Sequence, residues 1–250
     1  MNDSPLDDPE TPSGTGFPRW LKWGLLGALA ILVVGYGLIF LYAKVLNDSP
    51  DELDESDLDA ALSIDTPVEP TGTDAPAVVG SEWVITDASE LGYRVKEVLF
   101  GVDTAAVGRT NQITGSLIID GTAVTEAKFV VDVASISSDE GKRDGQFRGR
   151  IMSADEFPTA VFTLTEPIEL GTEPAEGVEV ATSATGELTL RGVTNPVTFD
   201  LTAQLTNGKI GVLGNIPVVF SDYSIANPSF GGITTEDNGL LEFVLVFEPA

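Results

Sequence analysis

Two hydrophobic rhythms divide this chain. From Gly24 to Ala43 the residues read GLLGALAILVVGYGLIFLYA, twenty positions without a charge. At 1.5 Å per residue a helix of that length spans roughly 30 Å, the thickness of a bilayer's hydrocarbon core. Trp20 and Trp23 stand at one end and Tyr42 at the other, where amphipathic rings favour the membrane–water interface. The pattern predicts a transmembrane signal anchor over 19–44. It is longer than the apolar core of a cleaved signal peptide, and LYAKVLND supplies no small-x-small cleavage site. Arg19 and Lys22 precede the run and only Lys44 follows it, so the positive-inside rule places the N-terminus in the cytoplasm and the rest outside the cell membrane.

Past Trp83 the period becomes two. Val197, Phe199, Leu201, Ala203 and Leu205 alternate with Thr198, Asp200, Thr202, Gln204 and Thr206, as in a strand with one buried face. Leu241, Phe243, Leu245 and Phe247 repeat the pattern against Glu242 and Glu248. Shorter versions fall at Phe129, Val131 and Val133, at Ala160, Phe162 and Leu164, and at Leu188 and Leu190. Asp120-Gly121, Glu176-Gly177, Asn195-Pro196 and Asn207-Gly208 punctuate these runs, and Asn207-Gly208 suits a type I′ hairpin. About eight short-looped consecutive strands make a meander, which removes its exposed edges by closing into a barrel.

Composition narrows the chemistry. The chain has no Cys and no His, which removes thiol nucleophiles, disulfides, Ser-His-Asp triads and ordinary zinc sites. No catalytic or metal residues are assigned. The formal charge of −26 disfavours nucleic acid as a partner. Residues 1–18 are acidic and rich in Pro, Gly, Ser and Thr, and predict a disordered cytoplasmic tail. Residues 45–82 carry eleven carboxylates and no Lys or Arg, and predict a disordered tether that lifts the 83–250 domain clear of the bilayer. Within that domain the alternation breaks at 138–157. There Lys142, Arg143, Arg148 and Arg150 form the one basic cluster, and Ser138 or Asp139 is placed to cap a short helix. This segment reads either as a solvated connection or as a rim meeting a polar head group.

SEWVITDASELGYRVKE, KRDGQFRGRIMSADEFPTAVFTLT, GELTLRGVTNPVTFDL and NGLLEFVLVF follow one another across essentially all of 83–250. Together they resemble the YceI-like family, and its membrane-anchored actinobacterial members most. The resemblance implies an all-β fold, a lipocalin-like eight-stranded antiparallel barrel, with a long apolar tunnel that holds a polyisoprenoid or an isoprenoid quinone. It requires no cofactor beyond such a lipid. One departure stands out. Many relatives carry a His-Ser pair after the opening strand, where this chain has Asp87-Ala88-Ser89.

On that reading Phe129, Val131, Phe162, Leu164, Leu188, Leu190, Val197, Phe199, Leu201, Ala203 and Leu205 line the tunnel. Arg143 and Arg148, matched to the family's RD-containing segment, stand at the mouth. The expected function is non-catalytic binding of an isoprenoid lipid by a membrane-tethered extracellular domain. The alternative is a barrel plugged by Phe129, Phe162, Phe199, Phe243 and Phe247. Such a barrel would present the 221–239 loop, with Tyr223 and Phe230, to another surface protein or a cell-wall polymer.

Overall fold

The computed structural model describes residues 19–41, 49–63 and 81–250. The expected disordered tail at 1–18, and the parts of the expected tether at 45–48 and 64–80, lie outside the described residues. The chain divides into two units, 1–46 and 47–250.

Among the described residues of the first unit, helix α1 (Arg19–Leu41) carries the apolar run. Its Lys22–Leu41 stretch has a mean hydropathy of 2.4 and is long and apolar enough to cross a membrane.

The second unit is built on one antiparallel sheet. Its strands are β1 (Ser81–Ile85), β2 (Glu90–Leu99), β3 (Val102–Thr110), β4 (Ile113–Asp120), β5 (Ala123–Asp132), β6 (Thr159–Leu164), β7 (Ile168–Glu169), β8 (Glu179–Leu190), β9 (Val193–Thr206), β10 (Lys209–Val219), β11 (Ile233–Thr235) and β12 (Asn238–Pro249). The count exceeds eight because long barrel strands are broken. β12 pairs with β2 through Leu240–Val244 and with β1 through Phe247–Pro249, so β1 and β2 together occupy one barrel position. β3 pairs with β2 and β4 with β1, giving a second bent position. The order then runs β5, β6, β8, β9, β10 and β12, which closes on β1 and β2. The result is the closed eight-stranded antiparallel barrel that the alternation predicts.

Ser89 makes the first bend possible. Its buried hydroxyl accepts the Val246 amide at 2.9 Å and bonds the Val246 carbonyl at 3.3 Å, so the side chain replaces ladder bonds where the strand breaks. Asp87-Ala88-Ser89, where many relatives carry His-Ser, is therefore a structural corner here. At the hairpin between β9 and β10, Asn207 and Gly208 have φ of 54° and 72°, as a type I′ turn requires.

Residues 49–63 correct the expectation of a uniform disordered tether. They form a strap on the outer barrel wall that includes a short helix, α2 (Glu55–Leu62). Asp54 caps the helix in a reciprocal capping box with Asp57, and the Ser56 hydroxyl bonded to Asp54 holds the Asp54 carboxyl below its ordinary range. Leu58, Ala61 and Leu62 fall at helical spacing and are buried with Leu53 against Val244 and Val246 of β12. Burial of each leucine is worth about 1.5–3 kcal/mol, which outweighs the repulsion among exposed carboxylates. Gly211 on β10 leaves the seat, since a Cβ there would come within 2.5 Å of Leu58 Cδ1.

Upstream of α2 the strap is held by polar groups. Ser49 donates its hydroxyl to the Ala105 carbonyl. Arg94 donates to Pro50 O at 2.8 Å and Arg109 to Asp51 O at 2.6 Å. Both guanidiniums also bond Glu242, whose side chain is only 1% exposed although it faces outward.

Candidate functional site

The pairing register fixes which side chains face the lumen. Phe129 opposes Gly115 and Phe162; Val131 opposes Ile113 and Ala160; Leu188 opposes Phe162 and Asn195. Leu201, Ala203 and Leu205 oppose Gly214, Val212 and Ile210. Leu164, Leu190, Val197 and Phe199 continue the same inward rows. All eleven side chains expected to line a tunnel therefore point into one interior. That reading omitted Ile85, Leu91, Tyr93, Val212 and Leu241, which pack against the same cluster. LGYRV carried a usable signal, since Leu91, Tyr93 and Val95 alternate with Gly92 and Arg94.

At mid-height the phenylalanines form a belt. Phe129 and Phe162 stack at 6.2 Å, Phe162 meets Phe199 edge-on at 5.4 Å, Phe199 meets Phe243 edge-on at 5.8 Å, and Phe247 reaches Phe129 at 5.7 Å. Three of these rings, and Tyr93, lie on glycines of neighbouring strands. A Cβ on Gly115, Gly186, Gly214 or Gly108 would come within 2.9 Å of the ring of Phe129, Phe162, Phe243 or Tyr93 respectively. Each glycine lets a ring lie along the wall instead of standing into the lumen. Above and below the belt, Tyr93, Val197, Leu201, Ala203, Leu205 and Val212 face inward yet are only half-buried. Residual exposure of an inward side chain marks either space inside the barrel or an open barrel end beside it.

One end is covered by the segment between β5 and β6, residues 133–158. It contains helix α3 (Gly141–Gln146), capped by Glu140 rather than by Ser138 or Asp139, followed by a wide π-turn over Phe147–Ile151. Asp144 explains the shift of cap. Its buried carboxylate accepts the amide and hydroxyl of Ser138 at 2.8 and 2.7 Å, so Ser138 is committed inside the loop. Phe147, Met152 and Ala154 turn down into the core, and Phe147 stacks on Tyr93 at 4.6 Å. The turn at Phe220–Tyr223 covers the rest, burying Phe220, Tyr223 and Ile225. Two arginines lace these covers together: Arg150 donates to Pro228 O, and Arg191 donates to Ser224 O and Ser153 Oγ.

Arg143 and Arg148 both lie on this cover. Arg143 pairs with Asp139 and sits 3.7 Å from Glu97, while Arg148 is half-buried on the π-turn. Burial raises the Glu97 carboxyl above its ordinary range, although Arg143 opposes the shift. Burial likewise pushes the Tyr93 phenol up to about 12, again against Arg143. Tyr93 thus presents a neutral hydroxyl at any physiological pH.

A raised carboxyl contributes stability below its unfolded pKa and loses it as pH rises through the folded value. Ionised Glu97 therefore opposes the closed cover at neutral pH. Glu97→Gln should raise the melting temperature at pH 7, and the gain should vanish once the pH falls below about 4, where Glu97 is protonated in both states. A destabilised variant at pH 7 would show that the Arg143 pairing outweighs the burial cost.

A closed eight-stranded antiparallel barrel with an apolar, ring-lined interior and a cover over one end defines the lipocalin-like class of β-barrels. Within that class the chain belongs to the YceI-like domain family, which it matches over residues 83–247. It is 34% identical to a UPF0312 protein of Vibrio vulnificus strain YJ016 over 95 residues, 37% of this chain and 47% of that one. A UPF0312 protein of Yersinia enterocolitica is 34% identical over 96 residues, 37% of this chain and 46% of that one. The chain thus spans about half the length of the curated relatives it matches. Among solved structures, a polyisoprenoid binding domain from Saccharophagus degradans superposes with a TM-score of 0.55 at 20% identity, covering 68% of this chain and 99% of that one. BcnA of Burkholderia cenocepacia gives 0.50 at 20% identity, covering 65% and 98%. At these identities the structures establish a shared fold.

Proposed function

We propose that this protein is a non-catalytic carrier for an isoprenoid lipid, a polyprenol or an isoprenoid quinone. The lipid lies in the barrel lumen, outside the membrane in which α1 anchors the chain with its N-terminus in the cytoplasm. The observation that carries the reading is the pairing of large inward rings with glycine seats, beside inward aliphatic side chains that remain half-buried. A branched, flexible hydrocarbon fills such a space by dispersion and burial alone, at about 0.8 kcal/mol per methylene. Family membership supports the same reading, as does the likeness to a barrel described as a polyisoprenoid binding domain. Arg143 and Arg148 are the head-group candidates, with the neutral Tyr93 hydroxyl beneath them.

Phe230, 67% exposed on the 221–239 loop, favours the second reading, a plugged barrel that binds another envelope component. Tyr223 does not, because it is buried as part of the cover. Native mass spectrometry with organic extraction, on the 47–250 unit that retains its strap, separates the two. A co-purifying isoprenoid of defined mass is the expected result. A clean apo mass that takes up neither menaquinone nor polyprenol would remove the carrier reading.

A further inference from the structure

We propose that the free end of the β2–β3 hairpin is a bilayer-docking tip, on which Phe100 and Phe230 enter the interface of the membrane that anchors the chain. The inference rests on the carrier reading only for its purpose, since a carrier for a membrane lipid must bring its covered end to the lipid.

Beyond Arg94, β2 leaves β12 and pairs instead with β11, so that β2, β3 and β11 form a three-stranded wing past the barrel rim. The wing ends in two tight turns. At Phe100-Gly101, φ is 48° and 87°; at Gly231-Gly232, between Phe230 and Ile233, it is 59° and 96°. The turns are joined, because the Phe100 amide donates to Gly232 O at 3.1 Å and the Phe100 ring lies against Gly232. Phe100 is 55% exposed and Phe230 67%. A bulky residue in the left-handed region is unusual where Asn or Gly would fit without strain. The fold thus holds an aromatic ring outward at a position that local geometry disfavours. Large exposed apolar tips mark contact surfaces, and aromatic rings favour the bilayer interface.

The place where the chain joins the barrel selects a bilayer over a protein partner. The strap begins at Ser49, bonded to Ala105 on the wing's own β3, and runs from there toward α2 on the opposite half of the wall. Ala105 lies four residues from the Gly101 turn, about 13 Å along a strand. Seven residues, 42–48, separate α1 from Ser49, and fully extended they reach at most about 28 Å. The described part of the strap therefore meets the barrel unit near its aromatic end, and in the proposed arrangement that end is the one turned toward the lipid. The cover segment with Arg143 and Arg148 lies over the same end, so docking the tip brings the candidate mouth to the bilayer.

The chain has no cysteine, which makes the test direct. Full-length Phe230→Cys and Val178→Cys would be labelled with an environment-sensitive fluorophore and reconstituted in phosphatidylglycerol–phosphatidylethanolamine vesicles containing lipids with a shallow nitroxide quencher. Val178 is also exposed, but it precedes β8 at the opposite barrel end. Quenching several-fold stronger at 230 than at 178, reduced by adding Phe100→Ser and persisting at high salt, is the expected result. Equal and weak quenching at both sites would overturn the proposal. Lipid retention is measured separately by extraction, so a docked tip on an empty barrel would refute the carrier while leaving this inference intact.

Discussion

Replacing Glu242 by Ala should cost the barrel about 3–5 kcal/mol, the range for breaking a buried ion pair from one side. The side chain is 1% exposed, and its oxygens are shared by Arg94 at 3.0 Å and Arg109 at 2.9 Å, themselves only 12% and 16% exposed. Without the carboxylate two guanidiniums face each other under the strap, with Pro50 and Asp51 carbonyls as their principal remaining acceptors. Arg109 also reaches Glu90, but at 3.4 Å and with a half-exposed partner. Denaturant unfolding of the 47–250 unit would measure the loss, and proteolysis near Pro50 should accelerate as the strap loosens. A combined Glu242→Leu, Arg94→Met, Arg109→Met variant should recover most of the stability, because no unpaired charge then remains. A loss below about 1 kcal/mol for the single change would mean that water reaches the cluster and screens it as at an exposed site.

That cluster also shows where sequence reasoning stopped. Period-two alternation reads each strand's inward face correctly, because burial inside a closed barrel is decided by parity along a strand. It assigned Glu242 to the wet face, which is right in direction and wrong in environment. Val244 and Val246 on that same outward face were the warning, since a solvated wall has no use for two adjacent β-branched apolar positions. Their cover lay in residues 49–63, where the density of Asp and Glu masked Leu58, Ala61 and Leu62 at helical spacing, with Leu53 just before the helix. A charge run reads as solvated chain unless its few apolar residues are tested for period. The inward parity of the eleven positions was legible strand by strand, as was that of Tyr93 in LGYRV, whereas the place of Tyr93 beneath Phe147 depends on the tertiary fold. The ring-on-glycine seats needed the register itself, because Phe129 and Gly115, or Phe243 and Gly214, are neighbours only once strands are aligned.

Filling the lumen should abolish uptake of an isoprenoid while leaving the barrel folded. Ala203 is the position to use. It faces inward between Val180 and Val212 and is half-buried, and on the carrier reading a bound chain runs beside its methyl group. An indole at that position displaces about one isoprene unit of a bound chain. Five carbons at about 0.8 kcal/mol each amount to about 4 kcal/mol, or roughly a thousandfold in affinity. Ala203→Trp should therefore lose menaquinone and polyprenol in both extraction and uptake assays. Its melting temperature should stay close to the parent's, since a side chain entering the space of a ligand avoids the strain of an overpacked core. Asp200→Trp, on the outer face of the same strand, is the matched control and should retain the lipid. A ligand that runs past the phenylalanine belt into the half lined by Leu201, Ala203 and Leu205 cannot tolerate the first change. Unaltered uptake by Ala203→Trp would show that this half of the lumen holds no ligand. The hydrocarbon would then be confined between the belt and the cover, where Tyr93, Val193, Val197 and Leu241 are among the half-buried residues left to receive it.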